Sequence, residues 1–238
     1  MIELRPSAHR GISNFGWLYS KHSFSFGSYQ DPQHRGFSDL LVINDDVVLP
    51  GMGFGTHPHR DMEIFSYVLE GGLAHKDSMD KDTVIRPGDV QMMSAGTGIR
   101  HSEYNASDKV QVHFLQIWIV PDRTGGAPRY DQKHFSTDEK RGKFRLIISP
   151  NGDDGSLPVY QDARVYAGLF DGQEQHSVTL AKDRYAYVHV ARGSVDVNGQ
   201  TLRFGDGAKF RNPDTLTFNN GRQAEVLLFD LRPNELPA

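Results

Sequence analysis

The sequence predicts an all-β protein, on three observations. Apolar and β-branched residues come in short runs; the 24 glycines and 12 prolines of its 238 residues fall between those runs as turns. No stretch of helical period is long enough for a crossover helix, which argues against a parallel α/β fold. In chain order the expected strands centre on Leu40 to Ile43, Ile64 to Leu69, Val90 to Met93, Val110 to Val120, Arg145 to Ile148, Tyr185 to Val190, Val195 to Val197 and Val226 to Leu231. Many short strands with turns between them fit a sandwich or barrel. Val110 to Phe114 alternates apolar and polar residues, as a half-buried strand should.

The chain divides near residues 121–143, which are polar, poor in aliphatic residues and carry seven Lys or Arg from Arg123 to Arg145. That segment reads as a solvated connector between residues 1–134 and residues 135–238. The segments 67–89 and 187–206 share an order of strand, Gly turn, strand and Gly-Asp turn, so two similar β domains made by duplication are expected.

Composition narrows the function. The net charge of −4 gives no footprint for direct nucleic-acid contact. With no cysteine there are no disulfides, thiolate nucleophiles or Cys-based metal sites. The longest mostly apolar run, Val110 to Val120, is interrupted by Gln111, His113 and Gln116, whereas a membrane helix needs about 20 predominantly apolar residues. A soluble, cytoplasmic protein is expected. Residues 1–120 carry 10 basic and 14 acidic side chains and the remainder 16 of each, so the first half is the one suited to a cation.

In that half, GMGFGTHPHRDMEI places His57 and His59 two apart, and side chains two apart on a strand share a face. SAGTGIRHSEYN supplies a second such pair, His101 and Glu103. Together they offer three imidazoles and a carboxylate to a metal. Eleven histidines will produce His-x-His by chance, but two Gly-rich strand entries each delivering a same-face pair are harder to dismiss. Gly51, Gly53 and Gly55, then Gly96 and Gly98, would let the backbone bend beside the site. The second half lacks a comparable set: register on the repeated glycines puts Thr179, Ala181, Phe218 and Asn220 at the four ligand places, and His176 and His189 have no partners at ligand spacing. One metal, in the first barrel, is expected.

The spacing Gly51-x5-His57-x-His59-x3-Glu63 resembles the first motif of the cupins, and Gly98-x2-His101-x3-Asn105 the end of the second. FGTHPHRDMEI, YVLEG, MSAGTGIRHSEYN, QIWIVP and the upstream GWLYSKHSFSFGSY resemble the pirin family in particular. The likeness continues through PRYDQKHF and SPNGDDGSL to LLFDL, nearly the whole chain. It implies a bicupin of two jelly-roll barrels, with a metal-binding domain over residues 1–134 and a metal-free one over 135–238. Two departures from the general cupin pattern, the late Gly71 and Ser94 in place of proline, are similar to what pirins show. General cupins use the acid at Glu63, and its parity with His57 and His59 would permit that. The pirin likeness implies His57, His59, His101 and Glu103 as ligands; Glu63 is then expected either to face the core or to stand behind the ligands, and Asp61 to make a turn contact.

The likeness also implies a reaction: a quercetin 2,3-dioxygenase-like opening of a flavonol by dioxygen, with release of carbon monoxide. One divalent transition metal would serve, iron foremost, with manganese, nickel, copper, cobalt or zinc as alternatives. Glu103 is the candidate general base. His113 and Gln116 are candidates to orient ligands, and Phe24, Phe26, Phe54, Met92 and Met93 are core fillers unless they face the barrel mouth. The competing reading is a metal- or redox-dependent binding module, a transcriptional cofactor of the pirin type acting through a protein partner. A monomer is expected.

Overall fold

The structure, a computed structural model, describes residues 2–235. The chain opens with strands β1 (Ile2–Arg5), β2 (Gly11–Asn14), β3 (Leu18–His22) and β4 (Leu40–Val48). Next come β5 (Gly53–His59), β6 (Glu63–Glu70), β7 (Leu73–Asp77), β8 (Asp82–Ile85), β9 (Asp89–Ser94), β10 (Ile99–Asn105), β11 (Val112–Ile119) and β12 (Arg129–His134). A one-turn helix α1 (Thr137–Lys140) leads into β13 (Phe144–Ser149), β14 (Leu157–Pro158), β15 (Ala163–Phe170) and β16 (His176–Thr179). The chain then runs through β17 (Tyr185–Val197), β18 (Gln200–Arg203), β19 (Gly207–Arg211) and β20 (Thr215–Leu231).

The first half forms a seven-stranded sheet in the order β12-β9-β6-β11-β4-β3-β2 and a four-stranded sheet in the order β5-β10-β7-β8. One core cluster joins them: Leu18, Val48, Val68, Val112 and Phe114 from the larger sheet pack with Leu73 and Ile85 from the smaller. The second half is organised on a nine-stranded sheet along β1-β19-β17-β20-β15-β13-β14, with β16 and β18 added to β20 and β17. Two barrel-like β units of the expected all-β class result.

Alternation along β6 explains how the halves join. All but the last of its eight residues are buried. Ile64 and Val68 belong to clusters inside the first barrel. Phe65, Tyr67 and Leu69 point the other way, into a cluster that includes Ile147, Val165, Leu227 and Phe229 of the second half. β11 repeats the arrangement, with Phe114 inward and Leu115, Ile117 and Ile119 toward the second half. A strand covered on both faces reads as a continuous apolar run, which is why period 2 fades there.

The connector expectation needs correction. Residues 129–134 form an edge strand on β9, with Arg129 opposite Ser94 and His134 opposite Asp89. The helix that follows is closed by a capping box between Ser136 and Glu139, and Lys140 is buried beside Tyr67 and Glu225. Arg129 lies over the Tyr160 ring, 4.5 Å from its centroid, and bonds the Pro158 carbonyl at 2.6 Å. Long basic side chains cover apolar surface with their stems, so a basic composition hid an ordered bridge. The amino terminus also departs from the 1–134 grouping. β1 pairs with β19, Ile2 opposite Phe210, and so belongs to the second sheet.

His189 is fully buried at this junction, and neither ring nitrogen has a protein hydrogen-bond partner. Burial, with Arg10 nearby, lowers its pKa to about 3. Between about pH 6.5 and 3 the unfolded chain therefore binds a proton that the folded chain excludes, so stability falls as pH falls through that window. Relative to His189→Gln, the wild type should lose up to about 1.4 kcal/mol per pH unit there and nothing above it, read by denaturant unfolding at several pH values. A constant difference across that range would contradict this assignment.

Candidate metal centre

β10 lies between β5 and β7, and its registers bring the chemistry together. His101 sits opposite His57 on one side and Asp77 on the other. Glu103 sits opposite His75 of β7. Between His101 and Glu103 the pairing with β5 shifts, so that Glu103 faces Phe54, a bulge that re-aims side chains near a site. Gly53 is required there: a Cβ would lie 2.3 Å from the Glu103 carbonyl oxygen and 2.5 Å from Tyr104 Cα. Gly96, at φ +47°, leaves no room either, since a Cβ would lie 2.0 Å from the Gly126 carbonyl oxygen.

The rings of His57, His59 and His101 converge, with centroids 4.8 Å (57–59), 4.5 Å (57–101) and 4.9 Å (59–101) apart. One nitrogen from each lies within 4.8 Å of the others. Nitrogens about 2.1 Å from a shared ion stand at most about 4.2 Å apart, so small side-chain shifts close the set. His75, His101 and Glu103 form a second such group. Glu103 thus joins the cluster through His101. Its carboxylate is held by Gln116, whose Nε2 donates to Oε2 at 2.8 Å, and by Ser66, whose Oγ donates to Oε1 at 3.3 Å.

Electrostatics favour neutral imidazoles. Burial, then the neighbouring His57, pulls His59 down to about 4. Burial, then the other histidines, pulls His101 down to about 2. Burial also lowers His75 against the opposing pull of Asp77. Glu103 is pushed up to about 7 by burial and by nearby Asp46, a carboxyl that burial raises to about 7 as well.

The residues fit a metal ion on two observations. His101 Nε2 is buried without a protein hydrogen-bond partner, and His57 donates from Nδ1 to the Gly55 carbonyl at 2.8 Å, which leaves its Nε2 bare. Imidazole with carboxylate is a donor set for first-row divalent ions.

Above the cluster lies a cavity of about 190 Å³. Phe15, Leu18, Phe26, Phe54 and Trp118 supply apolar wall, with His57, Glu103 and Gln116 at the polar end. Phe26 and Phe54 thus face the barrel mouth, while Phe24 and Met92 are core between the halves and Met93 is core within the first barrel. His22, held by Asn44 at 2.7 Å and Ser13 at 2.8 Å, joins Asp46 on the polar wall.

Glu63 lies elsewhere. Its Oε2 accepts from Ser94 Oγ at 2.8 Å and from the Tyr160 backbone N–H at 3.1 Å, tying the first barrel to the second half. Its parity with the histidines is broken by the turn at Asp61 (φ +47°), whose carboxylate accepts from Gly125 N–H at 2.7 Å. Gln116 does orient a candidate ligand. His113 does not; it bonds Asp45 at 2.7 Å. In the second half, Phe218 is core and Asn220 bonds Asp196. Among the described residues, both groups able to hold a metal lie in the first barrel. Sequence reading missed His75, Asp77, Asp46 and His22. The string His75-x-Asp77 carries the same alternating signal as His101-x-Glu103 and could have been found by it.

Comparisons with known proteins show what the chain as a whole is similar to. A family model described as Pirin matches residues 5–119, and one described as the quercetinase C-terminal cupin domain matches residues 146–231. The chain is 47% identical to the quercetin 2,3-dioxygenase of Escherichia coli K12, over 98% of this chain and all of that one. It is 41% identical to a pirin-like protein of Caulobacter vibrioides, over 97% of this chain and 99% of the other. Among solved structures, the bacterial pirin YhhW of Escherichia coli in complex with nickel(II) superposes with a TM-score of 0.93. That protein is 45% identical, with 98% of this chain and all of the other covered.

Proposed function

Because this chain belongs to the pirin family of the cupin superfamily, we propose that it is a metal-dependent dioxygenase. Its reaction is cleavage of flavonols such as quercetin by dioxygen, with release of carbon monoxide. The observation that carries this reading is the convergence of His57, His59 and His101, with Glu103 grouped with His101, beside an aromatic-walled cavity that His57 and Glu103 line. The relatives named quercetin 2,3-dioxygenase support it.

Each residue has a part. His57, His59, His101 and Glu103 hold one divalent transition metal, with iron as the working assignment. When bound, an ion of this kind would supply Lewis-acid chemistry toward a substrate oxygen. Glu103 accepts the proton of the flavonol hydroxyl, and Gln116 and Ser66 keep its carboxylate aimed at the cavity. Phe26, Phe54 and Trp118 bind the flat rings and keep water from them, while His22 and Asp46 face the hydroxyl groups.

Oxygen uptake with quercetin tests the reading, on protein reconstituted in turn with iron, nickel, manganese, copper, cobalt and zinc. Turnover dependent on the ion supports the dioxygenase and identifies the competent metal. A fully loaded protein that consumes no oxygen with any flavonol moves the reading to a metal-dependent binding module. Phe26 contacts Trp118 edge-on, with ring centroids 5.4 Å apart, and gives only binding surface. Phe26→Ala should therefore raise KM for quercetin roughly tenfold, from loss of about 1.5 kcal/mol of apolar contact, with kcat nearly unchanged. Steady-state kinetics check it, and a fall in kcat alone would contradict it.

A further inference from the structure

We infer that Asp77 and His75 form a positioning pair that fixes the tautomer of His101, so that Nε2 of His101, and not Nδ1, presents the lone pair at the cluster. This rests on the metal reading above. Three hydrogen bonds set the polarity. Asp77 Oδ1 accepts the backbone N–H groups of Met79 at 2.8 Å and Lys81 at 3.2 Å. Its Oδ2 lies 2.9 Å from His75 Nε2, and both side chains are fully buried. A carboxylate only accepts, so His75 carries its proton on Nε2 and, as a neutral imidazole, is bare at Nδ1.

That bare nitrogen faces Nδ1 of His101 at 3.5 Å. His101 therefore keeps its proton on Nδ1 and is bare at Nε2, the buried atom that has no protein hydrogen-bond partner. The His75 ring also packs against Tyr130, centroid to centroid 4.7 Å. Tyr130 is itself anchored through its hydroxyl to Thr83 at 2.8 Å and Gln132 at 2.9 Å. Both His75 nitrogens are thus committed. His75 serves His101 and is not an additional ligand, although it falls in the same cluster.

Asp77→Asn probes the polarity. The backbone N–H groups of Met79 and Lys81 hold the carbonyl oxygen of the new amide in place, so its NH₂ faces His75 Nε2. The proton of His75 then moves to Nδ1, and His101 is pushed toward the tautomer that cannot ligate through Nε2. Zinc affinity, read by competition with a chromophoric chelator, should fall about 10–100-fold, with a changed visible spectrum for the cobalt(II)-loaded form. His75→Phe fills the space without dictating a tautomer and should cost less. A pair with only a packing role predicts the opposite order, because His75→Phe disturbs a fully buried position more.

Long-range proton–nitrogen NMR on the zinc-loaded wild type reads the same point without a variant. The expected result is His75 protonated at Nε2 and His101 at Nδ1. His75 protonated at Nδ1, or wild-type zinc affinity and cobalt spectra in both variants, would overturn the positioning pair and leave the metal centre standing. A wild type that takes up no metal would overturn both.

Discussion

Protein carrying both His57→Ala and His59→Ala is expected to purify folded and free of metal, even after incubation with excess ion. The two positions suit such a test because β5 is a poorly buried rim strand, with no fully buried residue from Gly53 to His59. Loss of two side chains there opens no core cavity, and exposed or half-exposed substitutions usually shift stability by no more than about 0.5 kcal/mol. What the variant loses is two of three converging nitrogens. His101 and Glu103 remain, but a pair of donors from one strand is a weak site for any of these ions. Metal analysis after dialysis should fall from one ion per chain to background, while circular dichroism and the thermal melt stay near those of the metal-free wild type. Unchanged metal content would mean that the ion is held elsewhere, with the group of His75, His101 and Glu103 as the place to look.

The second large effect falls on turnover. Glu103 is buried, and its two oxygens are held by Ser66 and Gln116. Glu103→Ala should lower both metal affinity and rate, because the proposed function gives this carboxylate the roles of ligand and base together. Glu103→Gln keeps the shape and can still offer an amide oxygen, so it separates the two roles. Compared at matched metal occupancy, the glutamine variant should turn over quercetin about 10²–10⁴-fold more slowly than the wild type, the usual contribution of a positioned general base. Equal rates at equal occupancy would show that the carboxylate only holds the ion. The proton would then go to another group, with Asp46, also on the cavity wall, as the next to test.

How much of this was legible depended on whether a residue's role lay in its own strand or in its neighbours. The pairs His57/His59 and His101/Glu103 could be read because period 2 places both members of each pair on one face. The strands expected at Ile64 to Leu69 and Val110 to Val120 appear as Glu63–Glu70 and Val112–Ile119. Tyr185 to Val190 and Val195 to Val197 prove to be one strand, Tyr185–Val197, because the break suggested by Gly193 is absorbed as irregular pairing with β20. The strand at residues 129–134 was hidden because edge strands with one covered face need little aliphatic content. Parity failed for Glu63 because a left-handed residue at Asp61 intervenes. The place of His75 depends on the register between β7 and β10, which strand pairing sets across some thirty residues and no local pattern announces.

The exchange of β1 into the second sheet bears on the order in which the chain can fold during synthesis. Ile2 finds its partner only when Phe210 has been made. At about 5–20 residues per second, the ribosome needs roughly 10–40 s to cover that interval. The first barrel can close its own two sheets well before then, while Phe65, Leu115 and Ile117 still lack the second-half residues they will pack against. A nascent chain in this interval presents an apolar face and an unpaired β1, the features that invite chaperone binding or aggregation. β1 is made some 200 residues before the strand it pairs with, so joining of the halves is the step on which completion of the fold waits.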